Sequence, residues 1–411
     1  MERVILHCDL NSFYASVEIH NNPKLIGKAV AVCGSQEERH GIVLAKSDLA
    51  KKAGVQTGEA IWQAKQKCPN LIIVKPHYDE YMRFSKLARK IYEDYTDLIE
   101  PFGIDECWLD VTGSQILFGN GETIANKIRE RMKAEVGLTI SVGVSFNKVF
   151  AKLGSDMKKP DAVTVIPFDT FKEKIWNLPA GDMLGVGRAT QKVLHSYCIE
   201  TIGDLANANA EMLERRLGKA GQQIWNFANG YDRSPVQNMS YSAPVKSVGH
   251  GTTCVADLTS DNEVWKVILE LSQDISHRLR EYGLMANGVQ LTVKDKQLFS
   301  KQYQCPLEIS SQSFVEIAQM SFKLFQKNYQ WGMDVRAVTV RAINLCDVYT
   351  PIQLNFTMDI AQHEKRDRIE LAIERIRKRY GRAAINMGSL YTDLKMAGQQ
   401  NLSMPSGIPR Q

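Results

Sequence analysis

The residues best suited to chemistry are Asp9, just past the apolar run Val4 to Cys8, and the adjacent pair Asp105-Glu106 in the stretch IEPFGIDECWLDVT. A carboxylate at a strand end, with an Asp-Glu pair on a turn of the same sheet, offers the hard oxygen ligands that Mg²⁺ requires. The Leu10 carbonyl is near enough to complete one shell. Two such ions stabilise both the attacking and the leaving oxygen of a phosphoryl displacement. The acids alone read equally well as a solvated turn and a strand-end cap, since turns are rich in acids. Ser12 is placed to cap a helix. The unpaired N–H groups at that helix start make an anion site beside the carboxylates, where a triphosphate fits. Phe13 and Tyr14 lie on the same first turn, where an aromatic pair packs under a sugar or fills a core.

Positioning these groups requires a sheet that brings residue 9 to residues 105 and 106. The segment from Ile5 to Val144 reads β-helix-β-β-helix-β, an α+β sheet with helices on one face. Within it, AVAVCG, GIVLAK and LIIVK are strand candidates around a basic helical stretch, Asp48 to Ala53, as in a small inserted lobe. From Phe168 to Asn229 the pattern is helical, with Leu184-Gly185-Val186-Gly187-Arg188 between two helical segments. A polar stretch to Ser242 reads as a linker. A second α+β unit follows, in which Val289, Leu291 and Val293 alternate with Gln290, Thr292 and Lys294. One face of that strand is apolar, and the other is open to a polyanion or to solvent. Beyond Thr350 lie an amphipathic helix (Ile369, Ile373, Ile376, Tyr380) and a polar tail.

The 411 residues suggest two to four compact domains. Hydrophobic content of 44% and charged content of 24% fit a globular chain. No apolar run approaches the ~20 residues of a membrane helix. The first residues lack a secretory signal, so a cytoplasmic protein is expected. Eight scattered cysteines without a C-x-x-C pair argue against a zinc knuckle or disulfide framework. A net charge of +5 is compatible with a polyanionic partner and does not require one.

Three ordered motifs then point to a family. DLNSFYASVE (Asp9 to Glu18), GIDECWLD (Gly103 to Asp110) and SVGVSFNKVFAKLGSDMKKP (Ser141 to Pro160) resemble the acidic and lysine motifs of Y-family DNA polymerases, the bacterial DNA polymerase IV and V group. The resemblance spans residues 1 to about 345. It implies a right-hand α+β polymerase: palm (1–10 and 77–167), small fingers (11–76), helical thumb (168–233), linker (234–244) and a C-terminal α+β little finger (245–349). Residues 350–411 form a tail.

The resemblance further implies Asp9, Asp105 and Glu106 as catalytic metal ligands for two Mg²⁺ ions, with Leu10 contributing its carbonyl. It implies Phe13, Tyr14, Ala45, Lys51, Gly58 and Lys159 as nucleotide contacts, Tyr14 sensing the ribose and Ala45 and Gly58 leaving an open roof over the nascent pair. Asp48 and Lys51 depart from the Tyr and Arg the family usually places on the triphosphate. A lysine neutralises phosphate as a point charge, without the bidentate fork. The glycine turn resembles a helix-hairpin-helix, giving Gly185, Gly187 and Arg188 to DNA phosphates, and Lys294 and Arg341 lie on the proposed DNA face of the last unit. Gln353, Leu354 and Phe356 resemble a sliding-clamp docking peptide, one residue short of the usual spacing. Expected partners are primer-template DNA, deoxynucleoside triphosphates and a clamp, with no membrane contact and a monomeric state. A nucleotide cyclase with a similar sheet would need no duplex grip, and a non-catalytic DNA scaffold would not need the three acids. Primer extension separates these readings.

Overall fold

The computed structural model describes residues 2–39, 41–351 and 360–397. Its described residues divide into two compact units, 2–34 with 42–242 and 35–41 with 243–397.

The first unit opens with β1 (Ile5–Leu10), α1 (Phe13–Asn21), β2 (Val30–Cys33), β3 (Val43–Lys46), α2 (Asp48–Lys52), α3 (Ile61–Lys67), β4 (Ile72–Val74) and α4 (Tyr78–Glu93). It continues with β5 (Ile99–Pro101), β6 (Glu106–Asp110), α5 (Gln115–Phe118), α6 (Gly121–Arg131), β7 (Ile140–Ser145), α7 (Lys148–Met157) and β8 (Val163–Ile166). Short helices follow: α8 (Phe171–Ile175), α9 (Arg188–His195), α10 (Ile202–Asn207), α11 (Ala210–Leu217) and α12 (Lys219–Ala228).

All six residues of β1 are buried, as expected when both faces of a sheet are covered. The strand is central in a sheet ordered β5-β6-β1-β7-β8, antiparallel to both neighbours. Side chains alternate across it. Leu6, Cys8 and Leu10 join Leu109, Val142 and Val144 in a core with α4 and α6. Ile5, His7 and Asp9 point to the opposite face, where α7 lies. That helix comes so close that a Cβ on Gly143 would sit 1.9 Å from the Ala151 carbonyl oxygen. Only glycine fits there. Helices therefore cover both faces, not the one expected from the sequence, because the second covering helix follows the last strand of that pattern. On its far side α7 buries Val149, Phe150 and Leu153 against the short helices.

Other local expectations change as well. β1 continues through Asp9 and Leu10 instead of ending at Cys8, because both residues stay paired to neighbouring strands. Ser12 makes no side-chain cap. Its backbone is left-handed (φ 48°), and its hydroxyl donates to Asp48 Oδ1 at 3.2 Å. The stretch read as a linker is pinned: Val236 packs with Ile5 and Trp108, and the Gln237 N–H donates to Glu100 Oε2 at 2.9 Å. A small sheet, β3-β2-β4, folds with α2 and α3 around Ala31, Val43, Ala50 and Ile61.

The second unit holds β9 (Ser247–Leu258), α13 (Asp261–Glu281), β10 (Leu284–Asp295), β11 (Ser300–Ser311), α14 (Phe314–Asn328), β12 (Val335–Asp347) and α15 (Ile360–Tyr380). Its antiparallel sheet, β11-β10-β12-β9, buries Val289, Leu291, Val293, Val338 and Val340 under α13 and α14. The alternation read in β10 is borne out. The segment read as a tail packs back here, with Leu390 in the core. Its helix faces the other way from the expected stripe: Ile369 and Tyr380 are 50% and 66% exposed. α15 docks through its polar side instead. Glu370 meets Arg280, Ser313 and the Phe314 N–H, and Arg377 meets Gln273. Those partners are already polar, and burying them against isoleucine would leave them unpaired.

Candidate active site

The β1–β6 register sets Asp9 directly opposite Glu106, and His7 opposite Trp108. All four point to the α7 face by strand alternation. Asp105 precedes β6, and its carbonyl accepts the Leu10 N–H at 3.1 Å. The Leu10 side chain is in the core, so only its backbone is available to a ligand. Lys152 of α7 reaches Glu106 Oε2 at 2.6 Å. Lys159, just past α7, pairs with Asp9 Oδ2 at 2.5 Å and Asp156 Oδ1 at 2.8 Å.

The electrostatics show three acids competing for positive charge. Burial, then the Asp9 and Glu106 charges, push the Asp105 carboxyl up to about 7. Burial also raises Asp9, against the pull of Lys159. Burial would raise Glu106 too, but contacts with His7 and Lys152 win and bring it down to about 2. Burial lowers the His7 imidazole. Its Nδ1 lies 2.8 Å from Ser155 Oγ, whose own proton goes to the Lys152 carbonyl. Nε2 faces Glu106 Oε2 at 3.4 Å.

Among the described residues no group of three His, Cys, Asp or Glu side chains is arranged as a ready cation cage. Lysines answer two of the three acids. The donor set nonetheless fits a hard divalent ion, since all three groups are carboxylates and Asp105 is raised by burial and by its two charged neighbours.

Tyr14 is half-buried, and burial, followed by Tyr78 and the Asp105 charge, pushes its phenol up to about 12. Phe13 is 3% exposed and belongs to the core, so only its backbone is available to a ligand. Missing the Ser12 side-chain cap leaves the first N–H groups of α1 open. In the small lobe, Ala45 lies on β3, and Gly58 (φ +86°) has open space where a Cβ would stand. Burial, then the Lys51 charge, lowers the Lys46 amine on this lobe. Gly185 and Gly187 flank buried Val186 and lead into exposed Arg188 at the start of α9. In the second unit, Gln290 pairs with Arg341 across β10–β12, on the face away from the helices, and Lys294 is exposed on β10. Gln353, Leu354 and Phe356 lie outside the described residues.

His7, Lys46 and Lys152 escaped the sequence reading. A signal existed for two of them: His7 shares the face of Asp9 by period two, and Lys152 stands four residues after Lys148 on one helix face.

Known proteins match this arrangement. The impB/mucB/samB family matches residues 8–156, its C-terminal domain residues 245–356, and the DNA polymerase-iota thumb domain residues 181–232. A DNA polymerase IV from Acetivibrio thermocellus is 51% identical over 393 residues, covering 96% of this chain and 98% of that protein. One from Pelotomaculum thermopropionicum is 38% identical over 381 residues, covering 93% and 94%. A chimeric Y-family DNA polymerase structure aligns with a TM-score of 0.72 at 24% identity over 84% of this chain and 99% of that one, a likeness of fold.

Proposed function

The chain belongs to the Y-family of translesion DNA polymerases, and we propose that its template-directed primer extension is run by Asp9, Asp105 and Glu106 holding two Mg²⁺ ions. The observation that carries this is the facing of Asp9 and Glu106 across β1–β6, with Asp105 next in the chain and its carboxyl raised by burial and by both charges. Bound there, the ions would acidify the primer 3′ hydroxyl and neutralise the triphosphate and leaving pyrophosphate.

The chain's own residues do the rest. The open N–H groups at the start of α1 and the Lys159 ammonium hold the triphosphate. Lys51, with Lys46 beside it, adds charge from the small lobe, in place of the family's Tyr and Arg. Asp48 accepts the Ser12 hydroxyl and so takes no part in gripping phosphate. Tyr14 lies where a 2′-hydroxyl would meet its ring, and Ala45 and Gly58 leave room above the nascent pair. Gly185, Gly187 and Arg188 meet DNA phosphates through backbone N–H groups and one guanidinium. Lys294 and Arg341 do so from the second sheet.

On this reading residues 1–10 and 77–167 are the palm, 11–76 the fingers, 168–233 the thumb and 245–349 the little finger. Gln353, Leu354 and Phe356 dock a sliding clamp, and the enzyme acts as a cytoplasmic monomer. No helix among the described residues is long and apolar enough to cross a membrane.

The test is primer extension with Mg²⁺. Asp105→Asn and Glu106→Gln should each lower extension by several orders of magnitude while primer-template binding persists. Near wild-type extension by either variant refutes the assignment, and product from nucleoside triphosphates without primer would indicate a cyclase.

A further inference from the structure

Behind Tyr14 lies a second aromatic ring fixed by a buried carboxylate. Tyr81 of α4 stacks on Tyr14 at a centroid distance of 4.1 Å and an angle of 10°. Tyr78 stands edge-on to both, 6.0 Å from Tyr14 and 5.7 Å from Tyr81. The Tyr81 side chain is fully buried. Its hydroxyl donates to Glu18 Oε1, and the same carboxylate contacts His77 Nδ1 at 2.9 and 3.1 Å. Glu18 stands four residues after Tyr14 on α1, hence on the same helix face one turn along. One helix thus presents the ring that would meet the sugar and the carboxylate that fixes the ring behind it.

We infer that Glu18 is a positioning residue for sugar selection: through Tyr81 it holds the Tyr14 ring against retreat, so that a ribonucleotide's 2′-hydroxyl meets a rigid wall. This rests on Tyr14 as the sugar gate. A steric gate discriminates only as far as its ring cannot yield. Retreat from a sugar on one face of the Tyr14 ring is toward Tyr81, the ring stacked on the other face. Tyr81 in turn has a packed core around its ring and one polar anchor at its tip. Removing that anchor leaves the stacking area intact but frees the ring to slide. The relation also explains why a glutamate, 6% exposed, is kept in an apolar setting. It accepts from two donors, His77 and Tyr81, which meets the requirement that a buried charge be hydrogen-bonded.

The experiment is single-nucleotide insertion by the full chain, with matched ribo- and deoxyribonucleotides on one primer, read as the ratio of kcat/KM values. Tyr81→Phe keeps the ring and removes the hydroxyl. Glu18→Ala removes the acceptor, and Glu18→Gln retains one. Tyr81→Phe and Glu18→Ala should each raise relative ribonucleotide insertion roughly ten- to 150-fold, the scale of one hydrogen bond to a charged group. Glu18→Gln should stay near the wild-type ratio, a rescue that a merely structural role for the charge would not produce. Tyr14→Ala is the control. A raised ratio in Tyr14→Ala with an unchanged ratio in Tyr81→Phe overturns the role of Glu18 and leaves the gate standing. An unchanged ratio in Tyr14→Ala overturns the gate, and the role of Glu18 with it. Should Glu18→Ala fail to fold, Tyr81→Phe decides alone.

Discussion

Asp105 is the residue on which folding and the proposed catalysis conflict. Burial and two neighbouring acids raise its carboxyl from 3.8 to about 7. A group whose folded pKa is raised adds stability that is complete below its unfolded value and is lost as pH climbs through its folded value. The metal-free protein should therefore weaken between about pH 4 and pH 7. At about 1.4 kcal/mol per pH unit the ceiling is roughly 4 kcal/mol, reduced where lysines or water answer the charge. Asp105→Asn should remove this dependence and melt higher than wild type at pH 8 in chelator. Added Mg²⁺ should raise the melting temperature of wild type more than that of the variant, since a ligand of the folded state stabilises by mass action. Thermal unfolding across pH checks both, and parallel pH profiles for the two proteins would show that the carboxyl is not strained.

At the scale of elements, α7 and α15 show how a helix face is chosen by what it must cover. α7 turns Lys152 and Ser155 toward the site and its phenylalanine and leucine toward the short helices. α15 turns Glu370 and Glu374 inward, and Glu370, 4% exposed, is the centre of its docking. Glu370→Ala would leave Arg280 buried without its carboxylate, at a cost of about 3 kcal/mol. Backbone hydrogen exchange in β9 to β12 of the full chain should then quicken, whereas exchange in β1 and β7 should not. In the second sheet, the outward face of β10 and β12 makes a separable prediction. Lys294→Ala with Arg341→Ala should lower the slope of log affinity for primer-template against log salt by about 2, from roughly 0.9 for each phosphate no longer neutralised. The weakening should be similar across DNA sequences. An unchanged slope would mean that this face does not meet the backbone.

At the scale of the whole molecule, replacing Gln353, Leu354 and Phe356 with alanine should leave basal extension intact and abolish stimulation by the cognate clamp. Equal stimulation of variant and wild type would remove that docking peptide. Taken alone, the amino-acid sequence determined the order of strands and helices, the alternation in β10, and the three motifs that brought Asp9, Asp105, Glu106 and Lys159 together. Those signals are local: apolar period, turn residues and short runs of fixed chemistry. Tertiary structure alone decided which faces were covered. The six buried residues of β1, the outward stripe of α15, the anchoring of residues 234–242 through Val236 and the left-handed Ser12 each depend on a neighbour distant in sequence. It likewise decided that His7 and Lys152 flank Glu106 and that Glu18 fixes Tyr81 behind Tyr14. A residue's type records what it is able to bond, but its partner is chosen only when packing brings one buried polar group within reach of another.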